Sequence, residues 1–330
     1  MTRRGRDVKT VTTIAELRAE VGTARRHGNR IGLVPTMGAL HAGHLSLVRG
    51  LRDHVDWVVT SIFVNPAQFG PNEDLAAYPR DLAGDQAALV ALGDAAPDVV
   101  FVPSVAEVYP RPQLTTVHVG ELGDRLCGRS RPTHFDGVTT VVAKLFGMAQ
   151  PDVAIFGRKD FQQLTILRRM AADLDLAVEV VGAPIVREDD GVAMSSRNRY
   201  LEAADRRAAR ALSRALRAAV VAGREGRSNG AIDPASIATA ARRTLGDESR
   251  VRVDYVEAID ADDLAPLDGP FPAGDGSGEA SPEVRGTTRL LVAVAAHVGP
   301  ARLIDNVVIG DLQDEDALLA ATATPEDGNP

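Results

Sequence analysis

The first half of the chain alternates short apolar runs with amphipathic stretches, and this alternation limits the folds open to it. Trp57 to Val64 is an almost continuous run of β-branched and aromatic residues, as expected for a strand buried on both faces. A shorter run, Ile31 to Pro35, ends in a proline, so we expect that strand to stop there. Strands that alternate with helices favour a parallel sheet with right-handed crossovers. The sequence therefore predicts a doubly wound, Rossmann-like α/β domain over residues 1–186.

The second half has a different order of elements, with two predicted helices followed by three predicted strands. Asp233 and Pro234 form an N-cap and first-turn pair that opens the second helix. Helices followed by adjacent strands indicate a smaller α+β lid domain, which we place at residues 187–310. Residues 268–286 are rich in Gly, Pro, Ser and Glu and predict a flexible insertion. The acidic segment 311–330 predicts a disordered tail.

Charge and cysteine content exclude several classes of protein. Lys plus Arg total 37 against 45 for Asp plus Glu, and a chain of net charge −8 without a basic tract is a poor nucleic-acid binder. Cys127 is the single cysteine, which excludes an intramolecular disulfide and a multi-thiolate metal site. No apolar segment of signal-peptide length follows the basic N-terminus, and no run approaches the ~18 apolar residues of a membrane helix. We expect a cytoplasmic protein with no nucleic-acid or membrane partner.

The most informative motif separates the first strand from the next helix, at the carboxyl end of the strand, where ligands of open parallel sheets bind. Gly38 and Gly43 let the backbone approach a phosphate, and the helix beginning near His44 favours an anion at its N-terminus. His41 and His44 can bind phosphate oxygens or donate protons near neutral pH. Two surface histidines on an ordinary loop are the alternative, but the strand, helix and glycines together favour nucleotide binding. The motif consists of Pro35, Thr36, Met37, Gly38, Ala39, Leu40, His41, Ala42, Gly43 and His44.

Two further loops carry groups suited to a nucleotide. Met194, Ser195, Ser196 and Arg197 combine two hydroxyls with a guanidinium, which suits the outer phosphates, although a solvated loop would explain this segment taken alone. The run Gly157, Arg158, Lys159 and Asp160 follows another predicted strand. Its lysine can place a charge on the phosphate under attack, and its aspartate can accept ribose hydroxyl bonds. A helix N-terminus with an acidic first turn accounts for the aspartate but not for the lysine.

Two polar segments suit a pocket for a small acid. Asn65 and Gln68 follow a buried strand, and their amides can bind hydroxyl and carboxylate oxygens without adding net charge. Arg131 and His134 precede a predicted helix. For each segment separately, a loop-capping role is the alternative.

Taken together, these runs resemble the pantothenate synthetase (pantoate–β-alanine ligase) family of the class I synthetase and nucleotidylyltransferase superfamily, in order and spacing, over roughly residues 10–310. The resemblance implies that Mg-ATP and pantoate give pantoyl-adenylate and pyrophosphate, after which β-alanine attacks the acyl carbon and AMP leaves. It implies ATP as a substrate with Mg²⁺, no prosthetic group, and a homodimer. The runs are Pro35 to Val48, Ser61 to Gly70, Tyr78 to Arg80, Arg131 to Gly137, Gly157 to Gln163 and Arg187 to Leu201.

The resemblance also implies roles for individual residues. His44 is the implied proton donor, His41 a phosphate ligand and Lys159 the balancing charge in the transition state. Asp85 matches an acidic position that the family associates with magnesium. The implied ATP contacts are the motif from Pro35 to His44, Gly157, Arg158, Lys159, Asp160, the backbone of Val186, Met194, Ser195, Ser196 and Arg197. The implied substrate contacts are Gln68, Gln163, Asn65, Tyr78, Arg131 and His134.

The chain departs from the family pattern at three places. Arg158 stands where the family usually has glutamate, and Gly84 stands where some relatives have a second acid beside Asp85. The segment 268–286 is longer than the family's usual turn. Two other functions are weighed: another adenylyl-transferring enzyme, such as a nucleotidylyltransferase or a small aminoacyl-tRNA synthetase, and a non-catalytic nucleotide-binding regulator. The acidic charge argues against tRNA, and a regulator would not need transition-state charges such as Lys159.

Overall fold

The computed structural model describes residues 8–71, 73, 75–272 and 289–320. The chain divides into two compact units, Met1–Ala183 and Pro184–Pro330. None of the helices in the described ranges is long and apolar enough to cross a membrane.

The first unit is built on a parallel sheet. Its strands are β1 (Lys9–Val11), β2 (Ile31–Thr36), β3 (Trp57–Ile62), β4 (Val99–Phe101), β5 (Val153–Gly157) and β6 (Glu179–Ala183). Its helices are α1 (Ile14–Arg26), α2 (Ala42–Leu51), α3 (Leu82–Val90), α4 (Val105–Val108), α5 (Cys127–Ser130), α6 (His134–Ala149) and α7 (Phe161–Asp173). The six strands pair in parallel in the order β1-β4-β3-β2-β5-β6. The predicted doubly wound α/β fold is confirmed.

Helices cover both faces of this sheet, which explains why its central strands are largely apolar and buried. One face packs on α1, α6 and α7 through residues such as Leu17, Val141 and Leu167. The other packs on α2 and α3 through residues such as Val48 and Leu89. Each fully buried side chain of this size stabilises the fold by about 1.5–3 kcal/mol.

Strand β2 continues through Pro35 to Thr36, so the prediction that it stops at its proline is wrong. The carbonyl of Thr36 accepts the N–H of Phe63 from the β3 side, so Pro35, one residue earlier, points its nitrogen away from β3. On that other side β5 pairs only with Gly32 and Leu33. The missing N–H of Pro35 therefore faces the side on which pairing ends at Leu33, and the pairing with β3 is kept.

The second unit is a smaller α+β domain, as predicted. Its helices are α8 (Ala203–Ser228), α9 (Pro234–Gly246) and α10 (Leu312–Ala320), and its strands are β7 (Ala231–Ile232), β8 (Val251–Asp260), β9 (Phe271–Pro272), β10 (Leu290–Val298) and β11 (Ala301–Ile309). An antiparallel sheet of order β11-β10-β8 packs on α8 and α9, with Leu216 and Ile237 fully buried. Asp233 caps α9 by accepting the N–H groups of Ala235 and Ser236.

Two predictions of disorder fail where the structure describes the chain. Residues 312–320 of the predicted tail form α10, because Glu315, fully buried, binds Arg224 at 2.8 Å and Arg227 at 2.6 Å. In the predicted insertion 268–286, Phe271–Pro272 pairs with β7. Residues 273–288 and 321–330 lie outside the described ranges.

Candidate active site

The first unit places two loops at one crevice. Strand order reverses between β2 and β5, since β3 and β4 lie on one side of this pair and β6 on the other. Loops that leave the carboxyl ends of such strands diverge and open a crevice for a ligand. The histidine loop, residues 35–44, follows β2, and the lysine turn, residues 157–160, follows β5.

The backbone of the histidine loop is held by one buried carboxylate. Gly38 and Ala39 both have left-handed φ angles, +80° and +52°. Asp85 of α3 accepts the N–H groups of Ala39 at 2.9 Å and of Leu40 at 2.7 Å. A Cβ on Gly38 would lie 2.8 Å from Asp85 Oδ2, so only glycine fits there. Asp85 therefore fixes the shape of the loop.

This contact changes the interpretation of Asp85 as a magnesium ligand. Both of its oxygens already accept backbone N–H groups. Among the residues that the structure describes, no group of three or more His, Cys, Asp or Glu side chains is arranged to hold a metal ion. The geometry supports a structural role for Asp85, which the sequence did not suggest.

The two histidines lie at the start of α2, which begins at Ala42, earlier than the sequence indicated. Their ring centroids are 4.0 Å apart. Nδ1 of His44 accepts the backbone N–H of His41 at 3.4 Å, so the proton of the neutral His44 ring is on Nε2. Burial, assisted by the charges of His41 and Lys159, lowers the pKa of His44 to about 3. Near neutral pH, His44 is therefore a neutral hydrogen-bond donor and not an imidazolium acid.

The lysine turn reaches the same histidine. Lys159 and Asp160 act on the pKa of His44 in opposite directions, and Lys159 Nζ lies 4.0 Å from Asp160 Oδ2. The structure thus brings His41, His44, Lys159 and Asp160 close together. The side chain of Arg158 lies against Gly182 of β6. A Cβ built on that glycine would be 3.2 Å from Arg158 Cγ.

Arg131 and His134 hold protein groups, which supports the loop-capping alternative for them. Arg131 forms a bidentate ion pair with Glu73, at 2.7 and 2.5 Å. His134 contacts the carbonyl of Gln68 through Nδ1 at 2.8 Å and Arg131 Nη1 through Nε2 at 3.0 Å. A carbonyl only accepts, so Nδ1 carries the proton and Nε2 accepts from Arg131. Burial and then the charge of Arg131 lower the pKa of His134 to about 4, which keeps the ring neutral.

The remaining predicted substrate residues differ in how firmly the protein holds them. Gln162 is buried, and its amide bonds the backbone of Cys127, Leu122 and Arg125. Its neighbour Gln163 is half-buried and, within the described part of the chain, makes no side-chain hydrogen bond. Tyr78 is 6% exposed and packs edge-on against Phe69. Gln163 is therefore available to a ligand, whereas Gln162 is structural.

A cavity of about 420 Å³ opens on the β3 and β4 side of Met37. Its lining is mostly apolar and includes Met37, Phe63 and Val102, but neither of the two histidines nor the lysine. It therefore borders the histidine loop without containing the charged cluster.

In the second unit, the segment Met194–Arg197 is fixed by local bonds. Val186 accepts the N–H of Met194 through its carbonyl at 2.9 Å. Ser195 Oγ accepts the N–H of Arg197 at 3.3 Å and caps a short 3₁₀ turn, Ser196–Tyr200. Asn198 donates to Glu188 at 2.6 Å. The hydroxyl of Ser195 thus has a capping role within the unit.

Sequence reasoning missed Glu73 and Tyr109. Glu73 pairs with Arg131, 58 residues away, and the hydroxyl of Tyr109 bonds Asn65, 44 residues away. No local pattern marks either residue, because each acts only through a partner that the fold brings near.

The chain matches known proteins over most of its length. The family model described as pantoate-beta-alanine ligase matches residues 9–308. The chain is 48% identical to pantothenate synthetase 1 of Bradyrhizobium diazoefficiens, covering 92% of this chain and 98% of the relative. It is 49% identical to the pantothenate synthetase of Sphingopyxis alaskensis, covering 91% and 99%.

Solved structures agree with this match. The pantothenate synthetase of Thermus thermophilus superimposes with a TM-score of 0.79 at 42% identity, covering 91% of this chain and 98% of that one. The Francisella tularensis pantoate-beta-alanine ligase, solved as a complex with beta-gamma ATP and beta-alanine, gives 0.69 at 28% identity, covering 92% and 98%. The family model, the relatives and the solved structures agree, and this chain belongs to the pantoate–β-alanine ligase family.

Proposed function

We propose that this protein condenses pantoate with β-alanine at the expense of ATP, through a pantoyl-adenylate. The products are pantothenate, AMP and pyrophosphate. The observation that carries the proposal is the cluster of His41, His44 and Lys159 at the carboxyl ends of β2 and β5. The family membership supplies the substrates.

The first step needs donors and charge at the α-phosphate of ATP. A carboxylate oxygen of pantoate attacks the α-phosphorus, the bond to the β-phosphate bridging oxygen breaks, and pyrophosphate leaves with the bonding electrons. Negative charge grows on the α-phosphate oxygens. Lys159 Nζ and the Nε2–H of neutral His44 stabilise that charge, and His41 binds a neighbouring phosphate oxygen. Asp160, beside Lys159, accepts a ribose hydroxyl.

Pantoate binds through neutral groups. The amides of Gln68 and Gln163 hydrogen-bond its hydroxyl and carboxylate oxygens, and Tyr78 and Met37 supply apolar contact. Neutral donors suit this task because they bind the carboxylate without lowering its nucleophilicity as strongly as a salt bridge would. Arg131, paired with Glu73, adds no free charge to that position.

In the second step the neutral amine of β-alanine attacks the acyl carbon of the adenylate. The bond between that carbon and the phosphate oxygen breaks, AMP leaves, and the amine loses one proton. Because AMP is a good leaving group, no enzymic nucleophile is required.

The family membership implies further nucleotide contacts after Ala183. Met194, Ser195, Ser196 and Arg197 bind the outer phosphates, and the backbone of Val186 meets adenine. Magnesium enters as part of the substrate Mg-ATP in this proposal. No step is assigned to a metal site of the protein.

Omission of each substrate in turn tests the proposed function. AMP should form only when ATP, pantoate and β-alanine are all present, measured by chromatography of the nucleotides. Pyrophosphate should form with ATP and pantoate alone, at least as a single turnover. AMP release that does not depend on β-alanine would refute the assignment.

We also propose that the protein acts in the cytoplasm as a homodimer formed through the first unit. The support is its family membership. Sedimentation velocity of the purified protein tests the oligomeric part: a mass near twice 34.9 kDa supports the dimer, and a single 34.9 kDa species refutes it.

A further inference from the structure

We propose that Tyr109 and Asn65 act as positioning residues that fix the orientation of the Gln68 side-chain amide, so that Gln68 presents N–H donors to the acid substrate. The inference rests on the proposed role of Gln68 in binding pantoate and deepens it. It assigns a polarity to that contact and a function to a tyrosine that no motif contains.

The orientation of the Asn65 amide is set by two backbone groups. Asn65 is 1% exposed. Its Oδ1 accepts the N–H of Ala67 at 3.3 Å, and its Nδ2 donates to the carbonyl of Gly137 at 3.1 Å. A backbone N–H only donates and a carbonyl only accepts, so a flipped Asn65 would lose both bonds. The amide has one stable orientation.

The fixed Asn65 amide in turn fixes the orientation of the Gln68 amide. Its Nδ2 also donates to Gln68 Oε1, at 3.1 Å. The NH₂ group of Gln68 must then point the other way, and Nε2 lies 3.1 Å from Met37 Sδ in the histidine loop. A thioether is only a weak acceptor, so it does not compete with a ligand oxygen for these protons. Gln68 thus offers donors on the side of the histidine loop.

Tyr109 completes the bonding of Asn65. Its hydroxyl donates to Asn65 Oδ1 at 2.8 Å, so this oxygen accepts from two donors. The ring contacts Phe63, at 6.3 Å between centroids, and the ammonium of Lys144, at 5.4 Å from the centroid. These two contacts help to hold the ring that carries the hydroxyl.

Gly137 makes the arrangement possible. A Cβ at this position would lie 2.2 Å from the carbonyl oxygen of Ala67 and 2.6 Å from Gln68 Cα. Only glycine allows α6 to approach the turn Pro66–Gln68 this closely, and that approach brings the carbonyl of Gly137 to Asn65. Helix α6, the turn Pro66–Gln68 and Tyr109 are therefore linked through Asn65, which binds the side chain of Gln68.

The consequence concerns which functional group of a substrate can lie at Gln68. A pair of N–H donors binds a carboxylate or hydroxyl oxygen, but it finds no acceptor in the ammonium group of an amino acid. The arrangement therefore favours a carboxylate or hydroxyl oxygen at Gln68 and disfavours the amine end of β-alanine there. A site that hydrogen-bonds one partner rejects an analogue that leaves its buried groups unpaired.

Two variants of Asn65 distinguish the loss of its N–H donors from the loss of its whole side chain. Asn65→Asp keeps the shape but removes every donor, so Gln68 is driven to turn its NH₂ toward the new carboxylate and its oxygen toward the substrate. Asn65→Ala leaves Gln68 free to adopt either orientation. Steady-state kinetics should show the KM for pantoate raised about 30-fold by Asn65→Asp and about 5-fold by Asn65→Ala, with the KM for ATP changed less than about 3-fold in both.

Two more variants complete the series. Tyr109→Phe should raise the KM for pantoate by about 2- to 4-fold, because the Ala67 and Gly137 bonds still orient Asn65. Gln68→Met, which keeps the length and removes the amide, tests the proposed function itself. If Gln68→Met leaves the KM for pantoate unchanged, Gln68 does not bind pantoate. If it raises that KM while Asn65→Asp is no worse than Asn65→Ala, the orienting role is refuted and the binding role stands.

A measurement on the unaltered protein covers the case in which the Asn65 variants do not fold. With glutamine labelled on its side-chain nitrogen and methionine on its methyl carbon, the NH₂ protons of Gln68 should show a nuclear Overhauser effect to the Met37 methyl group. Absence of that effect, with the Gln68 resonances assigned, would overturn the proposed orientation.

Discussion

The histidine loop and the turn that carries Gln68 follow neighbouring strands, β2 and β3, yet the protein holds them in different ways. The histidine loop depends mainly on one carboxylate, Asp85, which accepts two adjacent N–H groups, while the other side-chain contacts of its N–H groups, to Thr36 and His44, are longer. The turn with Gln68 is fixed by several groups at once, among them Asn65, His134 and Arg131. The first loop thus relies mainly on one residue, and the second turn relies on several. We therefore expect loss of Asp85 to have a large effect on its loop, and loss of any single group around Gln68 to have a smaller effect on its turn.

The largest effect should come from removing the chemistry of the crevice. Lys159→Ala or His44→Ala should slow formation of the adenylate by about 100-fold or more, since each removes a donor to transition-state charge. Quenched-flow measurement of pyrophosphate from ATP and pantoate gives this rate. Lys9→Ala is the matched control, because Lys9 pairs on the surface with Glu20 and should change the rate by less than about 2-fold. A loss below threefold in both variants would mean that the site is misplaced.

A smaller but still large effect is expected at Asp85, which makes the two shortest of the side-chain bonds described for the backbone N–H groups of the histidine loop. Asp85→Asn replaces one acceptor by an NH₂ group facing backbone N–H groups, so one buried donor is left unsatisfied at a cost of about 1–3 kcal/mol. Adenylation should slow by about 10- to 50-fold, as His41 and His44 lose their position. Urea unfolding and the pyrophosphate rate measure both effects.

Asp81→Asn is the control for that variant. Asp81 is exposed and caps α3 by accepting the N–H of Gly84, a role that asparagine also fills. It should leave the adenylation rate within about twofold. Equal rates for the Asp85 and Asp81 variants would show that the loop does not depend on one carboxylate.

The smallest effect concerns how the free energy of unfolding changes with pH through His134, one of the groups that hold the turn with Gln68. The pKa of His134 is about 4 in the folded protein against an ordinary value of 6.5. Between these pH values the unfolded chain binds more protons, so the free energy of unfolding falls as the pH drops from 6.5 towards 4. At pH 5 the loss is about 2 kcal/mol. His134→Asn, which keeps a donor near Nδ1, should remove that part of the decline between pH 7 and 5, as measured by urea unfolding.

Exposed His27 provides the comparison, since His27→Asn should retain the slope of the unaltered protein. His44 has a lowered pKa of the same sign and contributes to the slope in both variants. Identical slopes for the His134 and His27 variants would contradict burial as the cause.

The sequence predicted those parts of the fold and site that local patterns encode. Alternating strands and helices gave the doubly wound sheet, and glycines beside His41 and His44 at the end of a strand marked the crevice. Asp233 with Pro234 gave the start of α9. In each of these cases the determining residues are close together in the chain.

The parts that sequence did not predict depend on distant partners. Pro35 stays in its strand because β3 still pairs with it, while its missing N–H faces β5, whose pairing with β2 ends at Leu33. That pairing is not contained in the apolar run itself. Asp85 was interpreted as a metal ligand because the N–H groups that it binds lie 46 and 45 residues earlier. Arg131 and His134 carried the right chemistry for an acid, but Glu73 and the carbonyl of Gln68 satisfy them first.

Helix α10 has a practical consequence for anyone who shortens this protein. The family match ends at residue 308, so trimming the gene to that boundary would delete Glu315 and Leu318. Arg224 and Arg227 would lose the carboxylate that neutralises them, and an apolar patch on α8 would be exposed to solvent. Such a shortened protein should aggregate on expression. An affinity tag fused beyond Ala320 leaves the ion pairs of Glu315 with Arg224 and Arg227 intact.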